Sequence, residues 1–262
     1  MADAVVETTN LSKDLTSNFL RRRARILDGL SLSVCKGETY GLIGPNGAGK
    51  TTTLKLLLGL IRPTSGSVTV FGLPPGDKRA LSRIGYLPEN PYFYSHLTAY
   101  EFLDFVGQLF GLPRAERTKR IKELLALVNL TGPQDVQMRK YSKGMLQRLG
   151  IAQSLINEPE LIFWDEPMSG LDPIGRKDVR HILAELKKAG KTIFFNSHLL
   201  PDVNEVCDRV GVLNQGKLVG QEKISAISNN GSYRDLEDYF LSVIESASRE
   251  SSQAAGESAQ VS

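Results

Sequence analysis

Eight residues, Gly44-Pro45-Asn46-Gly47-Ala48-Gly49-Lys50-Thr51, narrow what this chain can fold into more than any other feature. They match the pattern G-x-x-x-x-G-K-[ST] in full. A loop of small residues lets successive backbone N–H groups turn inward. The helix that follows adds the positive end of its dipole, so the segment suits a polyphosphate. The flanks agree: an apolar run at residues 39–43 precedes it and an apolar helical stretch at 52–60 follows. In such a loop Lys50 is expected to reach the outer phosphates and Thr51 to offer its hydroxyl to Mg2+. Gly44, Pro45, Asn46, Gly47, Ala48, Gly49 and Thr52 complete the expected nucleotide-binding set. A glycine-rich turn that matches by chance is the bland alternative, and the strand-then-helix context counts against it.

The rest of the chain supplies the α/β sheet that such a loop needs. Short apolar runs at residues 30–34, 39–43, 67–71, 84–87, 161–164, 192–196 and 210–213 read as strands, with a hairpin turn at 214–217 into 218–220. Residues 161–164 and 192–195 are apolar on both faces, as central parallel strands covered by helices are. Thr98-Ala99-Tyr100-Glu101 is a capping box, followed by Phe102, Phe105, Val106 and Leu109 at helical spacing. Ile121, Leu124, Leu125 and Val128 repeat that spacing, as do Val179, Ile182, Leu183 and Leu186 in a helix opened by Asp172-Pro173 and closed by Gly190. The expected fold is α/β: a P-loop NTPase core with a mostly parallel sheet, an N-terminal antiparallel β element, and a helical subdomain inserted at about 91–158. The core domain spans 1–222, a helical extension 223–246, and a Ser- and Glu-rich tail at 247–262 reads as disordered.

Bulk properties bound the rest. The 262 residues allow one full core with a small insertion. A net charge of +3 is too weak to argue for nucleic acid. Cys35 and Cys207 stand in no metal-binding spacing and read as reduced packing residues. No run reaches the ~18 apolar residues of a membrane helix, and residues 1–10 lack the apolar core of a signal peptide. The expectation is a cytoplasmic protein that reaches any membrane through a partner.

Three further segments carry chemistry. Residues 161–164 end in Asp165-Glu166, and strand ends are where α/β sheets place ligands. Alone, such a pair is more often a solvated turn or cap; beside a phosphate loop, Asp165 reads as a Mg2+ ligand and Glu166 as the general base for an attacking water. His198 follows the run 192–196. It reads as structural by itself, or, if its strand neighbours that of Asp165, as a donor to the terminal phosphate. Tyr141-Ser142-Lys143-Gly144-Met145 opens a helix that is either simply capped by Ser142 or a second anion site shared between two chains.

Taken in order, the loop at 44–51, Tyr141-Ser142-Lys143-Gly144-Met145, the run ending in Asp165-Glu166, Ser169-Gly170-Leu171-Asp172 and His198 make the chain resemble the nucleotide-binding subunits of ABC transporters, over about residues 11–220. The resemblance implies a head-to-tail homodimer. Each ATP, with Mg2+, would lie between the phosphate loop of one chain and Ser142, Lys143 and Gly144 of the other, with Asp172 crossing the interface. It further implies an ATPase that drives an integral membrane permease, most like bacterial exporters, with Glu166, His198 and Lys50 catalytic. Related ATPases serving DNA repair or translation are the alternative, as is a catalytically silent subunit; no direct contact with nucleic acid is expected. Three positions depart from the family pattern. Glu89, in Leu87-Pro88-Glu89-Asn90, replaces the usual glutamine and faces Mg2+ or the water. Lys143 replaces the first glycine of its segment. Leu15 stands where an aromatic usually stacks on adenine, with Phe19 nearby in an extended loop that also holds Arg21, Arg22, Arg23 and Arg25. That arginine run reads first as a solvated face, with lipid headgroups or nucleotide as the alternative. Tyr92, Phe93 and Tyr94 are either ordinary packing or the lining of the groove that takes the permease's coupling helix.

Overall fold

Strands that are apolar on both faces need cover on both sides. The computed structural model, which describes residues 3–16, 23–229 and 233–260, shows how it is provided. The chain begins with β1 (Ala4–Thr16), β2 (Arg23–Cys35) and β3 (Thr39–Ile43), followed by α1 (Lys50–Leu57) and β4 (Ser65–Val70). Then come α2 (Lys78–Leu81), β5 (Ile84–Leu87), α3 (Ala99–Leu109), α4 (Arg114–Leu127) and α5 (Lys143–Ser154). The second half runs β6 (Leu161–Asp165), α6 (Pro173–Lys188), β7 (Thr192–Ser197), α7 (Leu200–Val206), β8 (Arg209–Asn214), β9 (Lys217–Lys223), α8 (Ile224–Asn229) and α9 (Leu236–Gln260).

Two sheets result. The order β5-β6-β7-β3-β8-β9 is parallel from β5 through β8, and β9 returns antiparallel on the edge. The order β2-β1-β4 is antiparallel throughout. Alternation along β6 sorts its side chains into two cores. Leu161 and Phe163 join Tyr40, Leu42, Leu54 and Phe194, between the central sheet, α1 and the antiparallel sheet. Ile162 and Trp164 join Ile193, Phe195, Leu149 and Val179 on the helical side. Tyr40 stacks on Phe194 at 5.4 Å and Phe163 meets Phe194 edge-on at 5.7 Å. Each such fully buried side chain contributes about 1.5–3 kcal/mol through burial alone. The Trp164 indole N–H donates to Ser154 Oγ at 2.9 Å, which satisfies the one polar atom that the ring carries into the core. Helices α3, α4 and α5 fall between β5 and β6, where the insertion was expected. The capping box at Thr98 and Glu101 is formed on both sides, at 3.2 and 2.8 Å.

Two expectations are corrected. Leu15 and Arg25 lie in strands, not in an extended loop: Leu15 pairs with Ala24 and Asp14 with Arg25 in a long β1–β2 hairpin. Phe19, Arg21 and Arg22 lie outside the described residues, and Arg23 opens β2. Strand β1 escapes a hydrophobic-pattern reading because a polar residue fills one of its inward places. Thr8 is buried, and its hydroxyl donates to Leu30 O at 3.0 Å while accepting from Leu32 N at 2.9 Å. The segment read as a disordered tail continues α9 as far as Gln260. Its Ala, Glu, Gln and Ser content, without proline, is compatible with helix, and Glu237 and Asp238 favour the helix start.

Candidate functional site

Parallel strands all end on the same rim of their sheet, so residues that follow β3, β5, β6 and β7 meet there. β3 runs into the glycine-rich loop. Gly44 leaves the strand so close to β8 that a Cβ there would stand 2.1 Å from Leu213 O. Gly49 takes φ 110° as it turns the chain into α1, a conformation in which a side chain is strained. Ala48 is buried, and its carbonyl accepts from Gly216 N at 3.0 Å, tying the loop to the β8–β9 turn. Lys50 is buried, and its ammonium donates to the loop's own carbonyls, Gly44 O at 2.7 Å and Pro45 O at 3.3 Å.

Beside this loop β6 delivers both acids. Asp165 is 1% exposed, and its Oδ1 accepts from Asn196 Nδ2 of β7 at 2.9 Å. Glu166 has φ 51°, a left-handed conformation uncommon for a residue with a side chain. Its N–H donates to Asn196 O at 3.1 Å. The turned backbone aims the carboxylate back over the loop. Oε1 lies 3.7 Å from Lys50 Nζ, and Oε2 lies 2.7 Å from His198 Nδ1. Nδ1 donates to this carboxylate in the tautomer that protonates that nitrogen. The strand of His198 does neighbour that of Asp165, and the histidine is directed at the second acid.

These groups open onto a cavity of about 550 Å³ lined by Leu15, Ile26, Asn46, Gly47, Gly49, Lys50, Thr51, Thr52, Glu89, Glu166, Ser169 and His198. Leu15 and Ile26 give it an aliphatic wall, and Glu89 adds a third carboxylate-bearing residue to the rim set by Asp165 and Glu166. Of the oxygen donors expected for a hard cation such as Mg2+, the Thr51 hydroxyl and the Glu89 carboxylate line the cavity, whereas Asp165 is buried and does not. Among the described residues no three His, Cys, Asp or Glu side chains form a cage of their own. A cation here would therefore draw most of its ligands from bound phosphate and water, as Mg2+ characteristically does.

Ser142, Lys143, Gly144 and Asp172 do not line this cavity. Ser142 caps α5, accepting from Met145 N at 3.2 Å, and Asp172 caps α6, accepting from Gly175 N at 2.7 Å. The Lys143 side chain lies across Gly170 of its own chain, with Nζ 2.5 Å from where a Cβ would stand. The aromatic triple divides: Phe93 packs edge-on against Phe102 at 5.2 Å, whereas Tyr92 is 86% exposed and Tyr94 47%. Pattern reading missed Asn196. The available signal was a polar residue closing an otherwise apolar strand, directly before Ser197-His198.

A phosphate loop on β3, with acids and a histidine at the ends of the next strands of one parallel sheet, defines a P-loop nucleotide-binding core. Within that class the chain belongs to the ABC transporter family: residues 27–169 match the family's sequence model, and the fold is that of its ATP-binding subunits. An uncharacterized ABC transporter ATP-binding protein of Nostoc is 56% identical over 219 residues, 82% of this chain; the match spans 65% of the relative's own length. The fluoroquinolones export ATP-binding protein of Mycobacterium tuberculosis is 41% identical over 79% of this chain and 68% of that protein. An ATP-binding cassette solved as a dimer in a post-hydrolysis state with ADP and Pi superposes with a TM-score of 0.76 at 25% identity, covering 84% of this chain and 98% of that one. No described helix is long and apolar enough to cross a membrane.

Proposed function

We propose that this chain binds Mg-ATP on the loop at residues 44–51 and hydrolyses it within a head-to-tail homodimer, powering a membrane permease that exports its cargo. The observation that carries the reading is the pair of contacts at Glu166, whose carboxylate touches both Lys50 and His198 over the phosphate loop. A triphosphate entering the cavity offers Lys50 better acceptors than the Gly44 and Pro45 carbonyls, so the ammonium transfers to it. The loop N–H groups and the start of α1 hold the remaining phosphate oxygens. Thr51 and Asp165, with Glu89 facing them, would hold Mg2+, which would supply positive charge to neutralise the phosphates. Released from Lys50, Glu166 accepts the proton of a water aligned with the terminal phosphate, and His198 holds the carboxylate in place through Nδ1.

The second half of the reading rests on what the cavity lacks in one chain. Ser142, Lys143 and Gly144 stand at a helix start, outside the cavity, where they are available to close over a nucleotide held by a second copy; Asp172 stands nearby on α6. The dimeric ADP-and-Pi cassette supports this arrangement. The export name of the mycobacterial relative supports an exporter. A cytoplasmic protein bound to the inner face of the membrane through its permease fits the lack of a spanning helix among the described residues.

The test is Glu166→Gln, run with and without Mg-ATP on size exclusion with light scattering. Hydrolysis should fall by roughly 10²- to 10⁴-fold, and ATP should convert monomer to dimer. Full turnover in the variant, or no dimer at saturating ATP, would overturn the assignment of Glu166 or the shared site respectively.

A further inference from the structure

Helix α6 is capped by Asp172 and begins at Pro173, and α7 begins two residues after His198. One side chain ties them together. Arg180, near the middle of α6, donates from Nη1 to Asp202 Oδ1 of α7 at 2.5 Å, and its Nε stands 2.9 Å from Glu205 Oε2. Asp202 is 3% exposed, and its other oxygen, Oδ2, has no hydrogen-bond partner among the described residues. A buried carboxylate held by one cation is a costly arrangement that apolar packing would avoid. It makes the position of α7 depend on Arg180, because Asp202 has nowhere else to place its charge.

We infer that Arg180 is a positioning residue for hydrolysis: it fixes α7, and through it His198 and the His198–Glu166 contact, to the helix that starts in the segment facing the second copy. The inference rests on the reading of Glu166 and His198 given above. The chain of contacts is short. Asp172 caps α6; Arg180 lies two turns further along the same rigid helix; Asp202 lies four residues beyond His198; and His198 Nδ1 meets Glu166 Oε2 at 2.7 Å. Closure of the dimer against the start of α6 is thereby passed to the residue that orients the base. Neither Arg180 nor Asp202 lines the nucleotide cavity, so loss of their link should spare binding and slow chemistry.

The experiment compares Arg180→Ala, Arg180→Lys and the double variant Arg180→Met with Asp202→Asn, which removes the ion pair without stranding a buried charge. Hydrolysis is measured against ATP concentration, with nucleotide-binding stoichiometry as a count of folded sites. The imidazole NMR signals of labelled histidine are followed, His198 against His96. Arg180→Ala should lower kcat by roughly ten- to a hundredfold, with KM within about twofold and stoichiometry unchanged, and should shift the His198 signal but not that of His96. Arg180→Lys should restore most of the rate, and the double variant should stay slow while binding a full equivalent of ATP. Normal turnover in the double variant would show that an unpaired Asp202, not a lost link, caused the defect, and would overturn the inference. An unchanged His198 signal and kcat in Arg180→Ala would do the same. Failure of the unsubstituted protein to bind or hydrolyse ATP would instead bring down the reading of the site itself.

Discussion

Asn196 supports both acids of the site at once. Its side chain donates to Asp165 and its carbonyl receives the Glu166 N–H, so β7 sets the direction of one carboxylate and the unusual backbone turn of the other. Asn196→Ala keeps the carbonyl and removes the side-chain donor. The variant should lose about 1–3 kcal/mol of stability, because a buried carboxylate loses a partner. It should also need more Mg2+ for half-maximal hydrolysis, since Asp165 is no longer held. Chemical denaturation and a Mg2+ titration of turnover measure the two effects, and an unchanged Mg2+ requirement would separate Asp165 from the cation. The same scale shows why site residues differ in legibility. Lys50, Asp165 and Glu166 announce themselves by neighbours in sequence; Asn196 does so only once β6 and β7 are known to lie side by side.

At the scale of elements, the helical subdomain is held by polar links as well as by its apolar face. Arg117 of α4 donates to Asp104 of α3 at 2.7 Å and to Leu112 O at 2.7 Å. The guanidinium beside Asp104 holds its carboxyl below the usual carboxylate range. A depressed folded-state value means the link stabilises fully above the ordinary Asp range, near 4, and fades as pH falls through the lower folded value. Asp104→Asn should therefore cost about 1 kcal/mol at pH 7, the difference starting to shrink near pH 4 and vanishing only below the lower folded value; urea denaturation at pH 7 and through that acid range checks this. Periodicity located α3, α4 and α6 because each buries one clear stripe, such as Val179, Ile182 and Leu183, whereas α5, buried nearly all round, was marked by its Ser142 cap. It located β6 and β7 because both faces are apolar. It missed α7, whose seven residues give barely two turns, and β1, where Thr8 satisfies its hydroxyl inside the sheet. Of the site, the loop and acids were legible, whereas the His198–Glu166 contact and the Arg180 link depend on elements distant in sequence and had no local signal.

For the whole molecule, the decisive property is that β5, β6, β7, β3 and β8 run the same way. The phosphate loop, Glu89, Glu166 and His198 each follow the end of one of these strands, and the opposite rim carries surface ion pairs such as Arg83 with Glu160 and Lys187 with Asp208. This gives the chain a sharply uneven tolerance to insertions. The two acids are placed by counting along β6, not by a loop of their own, so one extra alanine between Asp165 and Glu166 turns the base away from Lys50 and His198 while leaving both cores filled. Turnover should disappear with a melting point lowered by only a few degrees. One extra residue between Ala189 and Gly190, both exposed at the far rim, should leave turnover within about twofold, as expected of a surface loop. Paired thermal melts and ATPase rates decide it; comparable losses at both places would mean that the site is set by its loops after all. In hereditary terms, such a molecule can lengthen freely at one rim, and at the other it must keep its reading frame of side chains to the residue.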